Sequence, residues 1–129
     1  NTCFWRGTMS KKALIVDDSV TMRNMVRLAL EENGFDVTDA ENGVHAIETI
    51  GDNSVDVMVV DINMPEMDGI TLIKKLRENP AHKFTPILVL TTESGSDTKQ
   101  AGKDAGATGW IVKPFDPEVL MAAVNKVCA

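Results

Sequence analysis

The sequence predicts an α/β domain in which a parallel β-sheet is doubly wound with helices on both faces. Three observations predict it. Short β-rich runs alternate with amphipathic stretches five times between Lys12 and Cys128. The central runs at 13–16, 55–60 and 86–90 are apolar at every position but Asp56 rather than alternating, as strands are when helices cover both faces of the sheet. A chain of 129 residues suits one domain with one core. Together they fit the five-stranded flavodoxin-like order 2-1-3-4-5, flanked by five helices.

Each element has its own signal. "ALIV" at 13–16 is the first strand, followed by two acids. "SVTMRNMVRLALEEN" at 19–33 carries Met22, Met25, Val26, Ala29 and Leu30 at helical spacing and stops at Gly34, a residue suited to the left-handed turn that ends helices. "FDVTDA" at 35–40 is the second strand and "NGVHAIETIGD" at 42–52 the second helix. "VDVMVV" at 55–60 is a buried strand. "GITLIKKLRE" at 69–78 is a helix that Asn79-Pro80 terminates. "PILVLT" at 86–91 is the fourth strand, and a small-residue helix covers about 95–106, with Gly95, Gly102 and Gly106 read as interior glycines that weaken it. "TGWIV" at 108–112 is the last strand. The last helix spans 116–128, with Asp116 as N-cap and Pro117 in its first turn.

Composition narrows the function. The net charge of −6 argues against a surface that binds nucleic acid by neutralising phosphates. No apolar stretch approaches the roughly 18–20 residues that span a bilayer, so no membrane partner is expected. Cys3 and Cys128 stand at opposite ends with no CxxC pair, which speaks against a disulfide framework or zinc site and makes the cytoplasm the expected compartment. Residues 1–10 are expected to be a leader or vector-derived segment, because "NTCFWRGT" shares no periodicity with the rest, and nothing functional is placed on Trp5. The folded domain is then 11–129. His45 and His82 are expected at the surface, and the seven Met residues as core filler.

The polar residues fall where a parallel sheet places its ligands, at the carboxyl ends of the strands. The first strand ends in Asp17-Asp18, the third in Asp61, the fourth in Thr91-Thr92 and the fifth in Lys113-Pro114. Singly, each has a bland reading: Asp18 or Ser19 caps a helix, Asp61 begins a turn, Lys113 is a solvated charge. Their coincidence at one edge is what those readings leave unexplained. Three neighbouring carboxylates repel, and a divalent cation resolves the repulsion. Oxygen ligands without His or Cys favour Mg²⁺, with Mn²⁺ as a substitute. Mg²⁺ held by one or two carboxylates in turn implies a phosphoryl ligand. Lys113 and the Thr91 hydroxyl would complete the clamp on its oxygens, and Asp61 would be the nucleophile that becomes an aspartyl-phosphate.

These residues carry a family resemblance. "VDD" at 16–18, "DINMPEMDG" at 61–69, "TT" at 91–92 and "KPF" at 113–115 resemble the receiver domain of two-component response regulators. "DDSVTMR" and "GATGWIVKPF" are most similar to its single-domain chemotaxis members. The resemblance covers essentially all of 11–129. It implies that Asp61 is the phosphoacceptor, that Asp17 and Asp18 are acids of the Mg²⁺ site, and that Asn63 offers its main-chain carbonyl to the metal. It further implies that Lys113 contacts the phosphoryl group, that Thr91 and Trp110 are the switch pair, and that Asn63 and Glu93 tune dephosphorylation. The Lys113-Pro114 bond is expected to be cis. Trp110 stands where Tyr or Phe is commoner, and Thr92 where Ala or Gly is.

The implied function is phosphorylation of Asp61 by a sensor histidine kinase, which switches the face of the fourth helix, fifth strand and fifth helix toward an output partner such as a flagellar motor switch protein. A phosphatase is a further implied partner, and the domain is expected to be monomeric. Such a domain is a phosphoacceptor that promotes its own phosphorylation and dephosphorylation, not an enzyme acting on a separate substrate. The alternative is a phosphorelay intermediate that passes phosphate to a histidine phosphotransfer protein. Other classes fit less well. A dehalogenase-type phosphatase wants an acid where Asn63 stands, and a nucleotide-binding module wants a Gly-rich loop where "DDSVT" stands.

Overall fold

The computed structural model describes residues 11–128. The segment 1–10, with Cys3 and Trp5, and Ala129 lie outside the described residues. Five strands, β1 (Lys11–Val16), β2 (Phe35–Ala40), β3 (Val57–Val60), β4 (Ile87–Thr91) and β5 (Gly109–Val112), alternate with five helices: α1 (Val20–Glu32), α2 (Gly43–Ile50), α3 (Gly69–Glu78), α4 (Ser96–Ala105) and α5 (Pro117–Cys128). All strand pairs are parallel, in the order β2-β1-β3-β4-β5.

The apolar strands divide their side chains by parity. Ala13, Ile15, Val57, Val59, Leu88 and Leu90 face α1 and α5, meeting Val26, Ala29, Leu30, Leu120 and Val124. Leu14, Val16, Met58, Val60, Ile87 and Val89 face α2, α3 and α4, meeting Ala46, Ile50, Leu72, Ile73, Leu76 and Ala105. Two cores on one sheet explain why these runs are apolar at every position.

Helix starts follow local chemistry. Ser19 caps α1, accepting from the Met22 N–H at 3.2 Å. Asn42 caps α2 and Asp68 caps α3, each accepting at 2.8 Å. Asp116 accepts from the Glu118 N–H at 2.9 Å ahead of α5.

Several expectations are corrected. His82 is fully buried, not at the surface. Asn79 caps a short 3₁₀ turn over Pro80–His82 that folds the ring inward, and its Nε2 lies 2.8 Å from the Gly51 carbonyl oxygen. His45 is exposed, as expected. Met25 is 47% exposed despite its helical spacing, and Met64 and Met67 pack from a loop. Of the three glycines in the fourth helix only Gly102 is interior: Gly95 is the N-cap and Gly106 the C-cap, at φ +116°. Gly106 therefore ends α4 rather than weakening it.

Candidate functional site

Strand register builds the site. Val16 pairs with Val60, so Asp17 and Asp61 step off the sheet side by side. The pairing continues one residue beyond the strands, with the Asp61 N–H donating to the Val16 carbonyl at 2.9 Å. Thr91 pairs with Val112, and the Lys113 N–H donates to the Thr91 carbonyl at 2.7 Å. Four strand tips thus place their polar residues on one edge.

The side chains converge there. Lys113 Nζ lies 2.8 Å from Asp17 Oδ2 and 3.3 Å from Asp61 Oδ2. Asp17 is only 3% exposed and Asp61 6%. One carboxylate oxygen from each of Asp17, Asp18 and Asp61 lies within 4.8 Å of the others. Burial alone would lower the pKa of the Lys113 ammonium. The hydrogen bond that Lys113 donates to Asp17 and the charges of Asp61 and Asp17 outweigh it and hold the pKa above its ordinary value. One ammonium against three carboxylates leaves the cluster short of positive charge. A hard divalent cation suits that donor set of oxygens, so these residues fit the Mg²⁺ that the motifs imply.

The bland readings are partly true as well. Ser19, not Asp18, caps α1, and Asp18 stays exposed at the rim. Asp61 does open a turn, with the Asn63 N–H donating to its Oδ1 at 3.3 Å. Neither role accounts for a lysine seated between two buried acids. The turn is tight because Gly69 backs onto it: a Cβ there would overlap the Asp61 carbonyl oxygen and stand 2.8 Å from Ile62 Cα. The Lys113-Pro114 peptide is cis, as expected.

Other residues singled out lie around the cluster without joining it. Thr91 is completely buried, and its hydroxyl accepts from the Glu93 N–H at 3.3 Å. Asn63 Nδ2 donates to Glu93 Oε2 at 3.3 Å, joining the loops that follow β3 and β4. The Trp110 indole N–H donates to the Glu93 carbonyl at 2.9 Å. Trp110 is half-buried, with its polar tip satisfied as an indole prefers. A cleft of about 270 Å³ lies away from the acids, lined by Lys99, Lys103, Ala107, Thr108, Gly109 and Trp110.

One residue escaped sequence reasoning. Arg23, one turn into α1, donates from its guanidinium to the Asp17 carbonyl at 2.7 Å. Its signal was only a position six residues after an acid, which no spacing rule singles out.

Comparisons with known proteins agree with this geometry. Residues 13–125 match the family model for the response regulator receiver domain. The chemotaxis protein CheY1 of Helicobacter pylori is 44% identical over 118 residues, covering 90% of this chain and 95% of that protein. A CheY homolog of Campylobacter jejuni is 42% identical over the same length, covering 90% and 91%. The crystallised chemotaxis protein CheY4 of Vibrio cholerae superposes with a TM-score of 0.88 at 44% identity, covering 92% of this chain and 98% of that one. Among the described residues no helix is long and apolar enough to cross a membrane.

Proposed function

Because the chain belongs to the response regulator receiver domain family, we propose that it is a chemotaxis-type regulator phosphorylated on Asp61 by a sensor histidine kinase. The observation that carries this reading is Lys113 seated between the buried Asp17 and Asp61 beside Asp18. An Asp61 carboxylate oxygen attacks the phosphorus of a phosphohistidine. The P–N bond breaks, the P–O bond of an acyl phosphate forms, and the imidazole leaves with a proton. The Lys113 ammonium orients the incoming phosphoryl oxygens and balances their charge. Asp17, Asp18, Asp61 and the Asn63 main-chain carbonyl would hold Mg²⁺, which when bound supplies the remaining charge neutralisation.

Output follows from the loop after β4. Drawing the Thr91 hydroxyl toward a phosphoryl group would free the Glu93 N–H, and the Glu93 carbonyl holds Trp110. The α4-β5-α5 face, with Lys99 and Lys103 beside its cleft, then presents a changed surface to a partner such as an acidic segment of a flagellar motor switch protein. Asn63 and Glu93, hydrogen-bonded to each other, would set water access to the acceptor and hence the phosphoryl lifetime, alone or with a phosphatase. Near full-length similarity to single-domain chemotaxis proteins supports this reading over the phosphorelay alternative.

The test is incorporation of labelled phosphoryl group from a small phosphodonor, with and without Mg²⁺. Label should require both Mg²⁺ and Asp61, and wild-type labelling of Asp61→Asn would overturn the assignment. Binding of the product to a motor-switch peptide, against return of label to a histidine phosphotransfer domain, separates the two outputs.

A further inference from the structure

We propose that Arg23 is a positioning residue of the cation site, acting through the peptide that joins Asp17 to Asp18. The inference rests on the reading of that acid cluster as a divalent-cation site. Every polar group of Asp17 is held. Its N–H donates to the Ala40 carbonyl at 3.2 Å. Its Oδ1 accepts from the Ser19 N–H at 2.9 Å, and its Oδ2 from Lys113 at 2.8 Å. Its carbonyl oxygen accepts from the Arg23 guanidinium at 2.7 Å. That carbonyl belongs to the Asp17-Asp18 peptide, so its direction fixes where Asp18 leaves the chain. Asp18 is the exposed member of the cluster, and the rigidity of this peptide is what brings its carboxylate within reach of the other two.

Arg23 is itself fixed. Its side chain is 15% exposed, and its Nε lies 3.6 Å from Asp39 Oδ2 on β2. Arg27 approaches the same Asp39 oxygen at 3.1 Å. The guanidinium therefore spans α1, β2 and the turn after β1. A planar fork turns separate nitrogens to the carbonyl and the carboxylate, Nη1 to the first and Nε to the second, whereas an ammonium has one nitrogen that would have to stand near both.

Charge and position make opposite predictions for this residue. A guanidinium beside an acid cluster repels an incoming cation, so if charge alone mattered its removal would tighten binding. If it orients the Asp17-Asp18 peptide, its removal loosens binding although the site becomes more negative. Partners that orient metal ligands commonly carry about 10–100-fold in affinity. We expect the positioning effect to win because the bond is short, half-buried and made to the backbone between two ligands.

The experiment compares wild type, Arg23→Gln and Arg23→Lys. Mn²⁺ affinity is measured from the electron paramagnetic resonance signal of the free ion, and Mg²⁺ by competition. Half-saturating Mg²⁺ for phosphodonor labelling is measured beside the rate at saturating Mg²⁺. Both variants should bind either ion about tenfold more weakly, with the saturating rate within about twofold of wild type and Arg23→Lys failing to rescue. Tighter binding by Arg23→Gln, or wild-type affinity in Arg23→Lys, overturns the proposal. An equal loss of saturating rate and of urea midpoint without an affinity change does so too, since it assigns Arg23 to the fold alone. A wild-type chain that binds neither ion sinks the cation site itself, a separate outcome.

Discussion

The six-membered ring of Trp110 occupies the space that a side chain at Gly102 would need: a Cβ there stands 2.5 Å from Cζ3 and 3.2 Å from Cε3. Ala gains about 0.5–1 kcal/mol over Gly inside a helix, whereas overpacking a rigid group costs about 1–3 kcal/mol. The ring cannot easily yield, because its N–H is bonded to the Glu93 carbonyl. Gly102→Ala should therefore lower stability by about 1 kcal/mol and shift indole emission. In a Trp110→Ala background the same change should raise the urea midpoint. That reversal of sign is the check.

Lys113→Met removes the ammonium from between Asp17 and Asp61. Stripping one partner from a buried ion pair costs about 3–5 kcal/mol, and with Asp17 3% and Asp61 6% exposed this pair falls in that class. Phosphodonor labelling should be lost. Divalent-cation affinity should rise, because the competing charge is gone, and saturating Mg²⁺ should recover most of the lost stability in urea unfolding.

The same lysine sets an alkaline limit. Its pKa in the folded chain is raised above the ordinary 10.5, so its contribution is complete below the unfolded value and lost as pH rises through the folded one. The stability gap between wild type and Lys113→Met should stay constant from about pH 7 to about pH 10.5 and close above it. A gap that closes toward acid instead would contradict the pairing.

Arg77 makes a second, purely structural knot. Its Nε and one terminal nitrogen donate to the Gly106 carbonyl at 3.1 and 2.8 Å, and the other donates to the His82 carbonyl at 2.7 Å. A lysine cannot reach both oxygens in that geometry. Arg77→Lys should cost about 2 kcal/mol, in the range of a hydrogen bond from a charged donor, and leave Mg²⁺ affinity unchanged.

Much of the fold was legible because a parallel sheet covered on both faces needs uninterrupted apolar runs, and 13–16, 57–60 and 87–90 are such runs. The acid cluster was legible for a related reason: parallel strands align their ends, so strand-tip residues meet whatever lies between them in sequence. What stayed hidden depends on three-dimensional contact. His82 is buried by a 3₁₀ turn too short to show a period. Gly102 looks like any helix breaker until the Trp110 ring is laid against it. Arg23 works through a backbone carbonyl, and no side-chain pattern reports a partner of that kind.

The two ends of α4 are held unequally. Gly106 is gripped by Arg77, while Gly95 begins the helix with no side-chain cap. A rod fastened at one end is a lever with its fulcrum there. Ten residues make an arm of about 15 Å, so a tilt of about 5° carries the free tip about 1.3 Å. The gearing would run one way: a nudge at residues 92–95 acts at the end of the arm, whereas a nudge at Ala105 meets the grip of Arg77.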